Sequence, residues 1–201
     1  MKFSMRDKYK KFYKNKNGER RQSYLYDKFN QMKQRCYNPK NKGYKNYGER
    51  GIKVENYLLI FENYVDEVIR LLPKGETINS MQKKKWSIDR YPNNDGNYER
   101  NNLRWAPPEK QGRNQRMKKN NTSGFQGVYL HKRSKKWVAQ IRSKRGMIYL
   151  GYFNTKQEAF IVYCEAYLEY WGQEDYSHMI SLHPHWDDQL KQERSNYETV
   201  K

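Results

Sequence analysis

Histidine is missing from the first 130 residues of this 201-residue chain; the four it has are His131, His178, His183 and His185. The N-terminal half therefore has no imidazole to act as a general base. Cysteine is scarcer still: Cys36 and Cys164 lie in separate segments, so no disulfide framework is predicted and a reducing, intracellular compartment is expected. No apolar run approaches the ~18 residues of a membrane span, and the N-terminus carries no apolar signal segment, which argues against membrane insertion and export. Acidic residues are in deficit, with 22 Asp+Glu against 41 Lys+Arg, and hydrophobic residues make up only 35%.

The formal charge of +19 is far beyond what solubility requires. It favours a polyanionic partner, because each Lys or Arg that meets a phosphate releases condensed counterions. A basic solvated surface is the bland alternative. Aromatics are abundant, with 19 Tyr and 5 Trp; they supply core volume where aliphatics are few, and rings that can stack on bases. Double-stranded DNA is the expected partner, with no small-molecule substrate and no membrane, and a monomer is favoured. RNA fits the second module less well.

Residues 1–22 read as a basic arm, mobile or a frayed helix. Leu25, Phe29, Met32 and Cys36 recur with helical spacing, Ser23 can cap that helix, and Asn38-Pro39 stops it. Gly43, Gly48 and Gly51 punctuate a loop over 40–55, where Arg50 can face a phosphate or a carboxylate. A second helix over 56–72 has the stripe Leu58, Phe61, Val65, Val68, Ile69 and Leu72, with Asn56 as its cap and Pro73 and Gly75 at its end. Residues 74–85 read as a polar, Lys-rich loop.

The segment WSIDRYPNNDGNYERNNLRWAPPEKQGRNQR, residues 86–116, has the layout of a strand, a turn-rich loop and a helix around a small polar site. A short apolar entry (Trp86, Ile88) ends in Asp89-Arg90. Pro92, Asn93, Asn94, Asp95 and Gly96 build the loop, and Leu103 and Trp105 follow Asn101-Asn102. Asp89, at a strand end, is a natural ligand for a hard metal ion of the kind a nuclease uses to activate water at a phosphate. Asp89–Arg90 can equally be a structural ion pair. Arg90 stays protonated near neutral pH and cannot be an ordinary general base, but it can hold a phosphate or stabilise developing charge.

Asp89, Asn102 and, at the last position, Gln111 or Asn114 resemble the motif of the HNH nucleases found in phages and mobile elements. Asn102-Leu103-Arg104-Trp105-Ala106 and Tyr47-Gly48-Glu49-Arg50-Gly51-Ile52 extend the likeness, which covers about residues 23–116. The resemblance implies a ββα-metal unit in which Asp89, Arg90 and Asn102 are catalytic and Asp89 and Gln111 hold Mg²⁺ or Mn²⁺. It also implies a homing-type DNA endonuclease acting in the cytoplasm of a bacterial host. In this chain Arg90 stands where the family has its histidine. A base would then have to come from metal-bound hydroxide or another residue such as His131. The competing expectation is a non-catalytic DNA-binding regulator with a degenerate nuclease module.

Lys110, Arg113, Arg116, Lys118 and Lys119 crowd the end of this unit, and a basic linker at 117–122 is expected to follow a DNA backbone. After it the period changes to alternation over 125–129, 137–142 and 147–152. Three antiparallel strands are predicted. Trp137, Ala139 and Ile141 face one way, and Val138, Gln140 and Arg142 the other. Thr155 and Glu158 form a capping box that opens a covering helix, with Ala159, Val162, Tyr163, Ala166 and Tyr170 along one stripe. The free face of the sheet carries polar, basic and aromatic residues. Arg142 can bond a guanine edge and Gln126 or Gln140 an adenine edge, while Lys132, Arg133, Lys144 and Arg145 sit in turns suited to phosphates.

Ser123-Gly124-Phe125-Gln126-Gly127-Val128, Leu150-Gly151-Tyr152-Phe153-Asn154-Thr155 and Glu158-Ala159 resemble the Apetala/ethylene-response-factor (ERF) DNA-binding domain. The likeness implies that a sheet over 123–172 reads the major groove through Gln126, Tyr129, His131, Gln140, Arg142, Met147 and Tyr149. Several family arginines are replaced here, so the plant recognition sequence is not carried over. Residues 173–201 form an acidic tail; its His178, His183 and His185 fit no common zinc spacing, and Ile180 and Trp186 suggest a docking segment instead. The expected fold class is α+β throughout.

Overall fold

The computed structural model describes residues 10–14, 16–114, 117, 120–143, 145–181, 183, 185, 186 and 190. It is a mixed helix-and-sheet protein that divides into two units, Met1–Gln115 and Arg116–Lys201.

In the first unit, β1 (Phe12–Lys14) and β2 (Arg20–Gln22) form an antiparallel hairpin. Part of the expected basic arm is thus ordered: the Arg20 guanidinium lies over the Phe12 ring at 3.9 Å, and that ring packs on Tyr26. Helix α1 (Tyr24–Tyr37) starts where the Ser23 hydroxyl accepts the Tyr26 N–H. Leu25, Phe29, Met32 and Cys36 are all buried, as their spacing requires. The second predicted helix is shorter than its apolar stripe. Asn56–Leu59 is a 3₁₀ turn, and α2 (Phe61–Arg70) begins only after the extended Ile60, so Asn56 is not its cap. The expected loop over 74–85 contains α3 (Ile78–Lys83), opened by a capping box in which Thr77 and Ser80 bond each other's backbone N–H. Ile78 and Met81 bury its inner side.

Strands β3 (Ser87–Arg90) and β4 (Leu103–Ala106) pair antiparallel, with Asp89 opposite Arg104 and Arg90 opposite Leu103. Helix α4 (Pro108–Arg113) follows directly, with proline in its first turn where a missing N–H costs nothing. Leu103 and Trp105 enter the core made by α1, α2 and α3. Trp105 is fixed there by donating its indole N–H to the Val68 carbonyl at 2.7 Å.

The second unit holds a three-stranded antiparallel sheet, β5 (Val128–His131), β6 (Lys136–Ser143) and β7 (Gly146–Phe153), in the order β5-β6-β7. Phe125, Val128, Ala139 and Ile141 pack on α5 (Lys156–Ser181) through Phe160, Tyr163 and Tyr167. The Thr155–Glu158 capping box is formed: the Glu158 N–H meets the Thr155 hydroxyl at 3.1 Å, and the Glu158 carboxylate accepts the Thr155 N–H at 3.3 Å.

Two expectations shift. The first strand starts at Val128, because Gly127 turns with φ +73° and lies against the Tyr163 ring. Gln126 therefore sits in the preceding turn and not on a strand. The segment after 172 is not a free tail: the chain turns at Gly172 (φ 80°), stays helical to Ser181 and docks through Ile180 and Trp186 as expected. Met179, Trp186 and Leu190 join the core, and the Trp186 indole donates to the Gly124 carbonyl at 3.0 Å. No helix among the described residues is long and apolar enough to cross a membrane.

Candidate functional site

In the first unit the β3–β4 hairpin is closed by a loop over 91–102, and Asn102 organises that loop. Its side-chain oxygen accepts the Asn93 N–H at 2.8 Å, and its amide donates to the carbonyls of Asn93 (2.8 Å) and Asn97 (2.9 Å). Asn93 in turn accepts from the N–H groups of Asp95 and Gly96. Arg50 pairs with Asp95, which settles its partner as a carboxylate. Asn102 is thus buried in the loop, acting on its shape.

Helix α4 is tied to the hairpin by amides. Gln111 donates to the Ser87 hydroxyl (2.9 Å) and the Ala106 carbonyl (2.7 Å). Asn114 donates to Asp89 Oδ2 (3.1 Å) and the Arg90 carbonyl (3.0 Å). Of the two candidates for the last motif position, Asn114 is the one bonded to Asp89.

Asp89, Arg90 and Gln111 line a common cleft with a cavity volume of about 90 Å³. Its far wall was not foreseen: Lys28 and Arg35 come from α1, with Tyr47 and Tyr98 beside them. The two tyrosine rings stack 18° from parallel with centroids 6.2 Å apart. Gly48 lets Tyr47 approach α1, since a Cβ there would lie 2.1 Å from the Cys36 carbonyl oxygen. The one available signal was the polar row Lys28, Gln31 and Arg35, at i, i+3 and i+7 beside the apolar stripe of α1.

Asp89 is mostly buried. Arg104 reaches its Oδ2 at 3.5 Å, on the same oxygen that Asn114 bonds. The other oxygen takes no hydrogen bond from a described residue. Burial pushes the Asp89 carboxyl above its ordinary value, against the opposing pull of Asn114, Arg104 and Arg90. Arg90 is buried and donates to the Gly96 carbonyl (2.8 Å) and the Asn94 side-chain oxygen (3.3 Å).

Among the described residues no cluster of three or more His, Cys, Asp or Glu could hold a metal ion. Among the described residues the cleft lining offers one carboxylate, Asp89, the amide side chains of Gln31, Asn94 and Gln111 and the Met32 thioether, with no thiol or imidazole. That donor set fits a hard cation such as Mg²⁺ or Mn²⁺, which binds through one or two carboxylates, substrate phosphate and retained waters.

In the second unit, register places Tyr129, Val138 and Tyr152 in one cross-strand row, then Gln140 beside Tyr149 and Arg142 beside Met147. This is the face turned away from α5. Val138 is 0% exposed although it lies outside the α5 core, whereas Tyr129, Met147, Tyr149, Tyr152 and Arg142 are exposed. Tyr152 meets both the His131 ring (5.4 Å) and the Tyr149 ring (5.5 Å) edge-on. His131 Nδ1 accepts the Ser134 N–H at 3.3 Å, so a neutral ring carries its proton on Nε2.

Tyr129, His131, Gln140, Arg142 and Tyr149 thus share one surface. Tyr152 joins them because β7 slips register near Gly151, a bulge that strict alternation does not reveal. Arg133 and Arg145 are exposed in the turns, and Arg113 lies on α4. Lys144, Arg116, Lys118 and Lys119 lie outside the described residues. No protein-family profile, curated protein or solved structure matches this chain.

Proposed function

We propose that this chain is a sequence-biased double-stranded DNA-binding protein and a metal-dependent DNA endonuclease of HNH type, from a phage or mobile element. The observation that carries the reading is the uncovered face of the β5-β6-β7 sheet, where Gln140 and Arg142 stand among exposed rings. Glutamine and arginine are the side chains that bond adenine and guanine edges in a major groove. Arg133 and Arg145 in the flanking turns would meet phosphates. The ERF-type likeness supports the same face.

The cleft of the first unit supports the second activity. Asp89 would hold Mg²⁺ or Mn²⁺ with Gln111 close by, and the metal would activate water and neutralise charge on the phosphate. Asn102 and Asn114 position the loop and the carboxylate. Arg90 takes the role of an electrostatic clamp, since guanidinium cannot accept the water's proton.

A second reading is a non-catalytic regulator. It is favoured by Arg90 itself, whose guanidinium is bonded into the loop at Gly96 and Asn94. Selection of bound duplexes from a random pool tests the DNA reading. An enriched sequence motif that competes better than single strands is expected; binding with no preference for duplex over single strand contradicts it.

A further inference from the structure

We propose that Arg35 joins Arg90 in a clamp for one phosphodiester of the DNA backbone, built on the stacked Tyr47–Tyr98 pair. The proposal rests on reading this cleft as a nucleic-acid site, but not on cleavage there. Arg35 comes from α1 and Arg90 from β3, yet both guanidiniums converge on the same two rings. The Arg35 carbon Cζ lies 4.6 Å and 4.9 Å from the Tyr47 and Tyr98 centroids, and that of Arg90 lies 4.9 Å and 5.3 Å from them. Tyr98 and Arg90 are buried and Arg35 is half-buried, so the two charges meet in a partly desolvated place.

Like charges gathered out of water are costly unless something anionic completes them. Among the described residues neither guanidinium has a salt bridge; Asp89, which feels the Arg90 charge, is paired with Arg104 and bonded by Asn114. Among the described residues Arg35 donates to the Tyr47 hydroxyl alone, at a long 3.4 Å, and its Nε is buried with no hydrogen-bond partner. Arg90 bonds a carbonyl and an amide oxygen. Among the described residues Asp89 is the one carboxylate on the cleft wall, and its bonded oxygen faces Arg104 and Asn114. Lys28 adds a third cation to the same wall.

A guanidinium beside an aromatic ring keeps its planar fork of donors for an oxyanion, and phosphate oxygens match that fork. The cavity of about 90 Å³ has room for several waters at ~10–15 Å³ of such volume each, and so for a phosphate group. Arg35 therefore holds substrate, with Tyr47 and Tyr98 as positioning residues.

The test uses the full chain, labelled with ¹⁵N, and the dinucleotide thymidylyl-thymidine, which carries one phosphodiester. The Arg35 Nε–H resonance should shift with the dinucleotide and stay in place with thymidine. Arg35→Gln should weaken dinucleotide binding about tenfold or more, the scale of a charge-assisted hydrogen bond. Arg35→Lys should recover part of it, keeping charge without the fork. If the dinucleotide shifts Arg35 but Mg²⁺ yields no DNA cleavage, the clamp stands and the nuclease reading fails. If the resonance does not move while DNA is cleaved, and a folded Arg35→Gln protein cleaves at the parental rate, the clamp is overturned and the nuclease reading stands.

Discussion

Asn114 donates its side-chain amide to Asp89 Oδ2 at 3.1 Å, joining the end of α4 to the end of β3. The bond holds the carboxylate in a place that burial makes unfavourable for its charge. The sign of the consequence is fixed. With the folded pKa raised, the native state binds more protons than the unfolded state between the ordinary carboxylate value and the raised one. Stability therefore falls as pH rises through that window. Asp89→Asn, which can still accept from Asn114, should melt at least as high as the parent at neutral pH and gain nothing below the window. Thermal melts across pH check this, and a lower melting temperature at pH 7 counts against it. Metal-dependent cleavage has the opposite sense: it should disappear as pH falls through the raised value, because the metal needs the ionised carboxylate.

Asn102→Ala removes three hydrogen bonds that shape the 91–102 loop. A loss of about 2–4 kcal/mol is expected at ~1 kcal/mol or a little more per bond. Denaturant unfolding measures it; a loss under ~1 kcal/mol would mean that the loop is held by other contacts.

Gly127→Ala tests the second unit. A Cβ there would stand 2.2 Å from the Tyr163 ring and 2.7 Å from the Gln140 carbonyl, at a φ of +73°. Overpacking and left-handed strain together should cost roughly 2–4 kcal/mol, read as a lower unfolding midpoint. An unchanged midpoint contradicts the packing of this turn on α5.

On the open sheet face, Arg142→Ala should cost ~1–3 kcal/mol on the preferred duplex and relax preference at one base pair. Arg145→Ala should weaken all duplexes alike and reduce the salt slope by about 1. Tyr152→Ala should weaken binding as well, since it opens the ring cluster with His131 and Tyr149. Titrations at several salt concentrations separate these effects. Equal loss on all sequences for Arg142→Ala would remove it from base readout.

What could be read from the chain was what depends on neighbours in sequence. The α1 stripe, the Thr155–Glu158 cap and the alternation of β6 are local, and the structure has them. The strand at Asp89, the loop and the helix after Pro107 were legible for the same reason. Helix α3 escapes periodicity because its six residues hold only two apolar side chains, Ile78 and Met81, and run into the lysines 83–85, although Thr77 and Ser80 carry a cap signal. The far wall of the cleft was out of reach. Arg35, Tyr47, Arg90 and Tyr98 meet only through tertiary packing, and periodicity states that α1 has a polar face without stating what covers it. The start of β5 turned on Gly127, whose conformation depends on Tyr163 in another element.

The most direct measurement is conversion of supercoiled plasmid and phage DNA by the purified full chain with Mg²⁺ or Mn²⁺, beside EDTA and an Asp89→Ala variant. Nicked or linear product with metal is expected, none with EDTA, and a loss of about 100-fold or more for Asp89→Ala. Intact DNA in every metal condition, with the protein still bound to it, would contradict the endonuclease and leave the DNA-binding regulator.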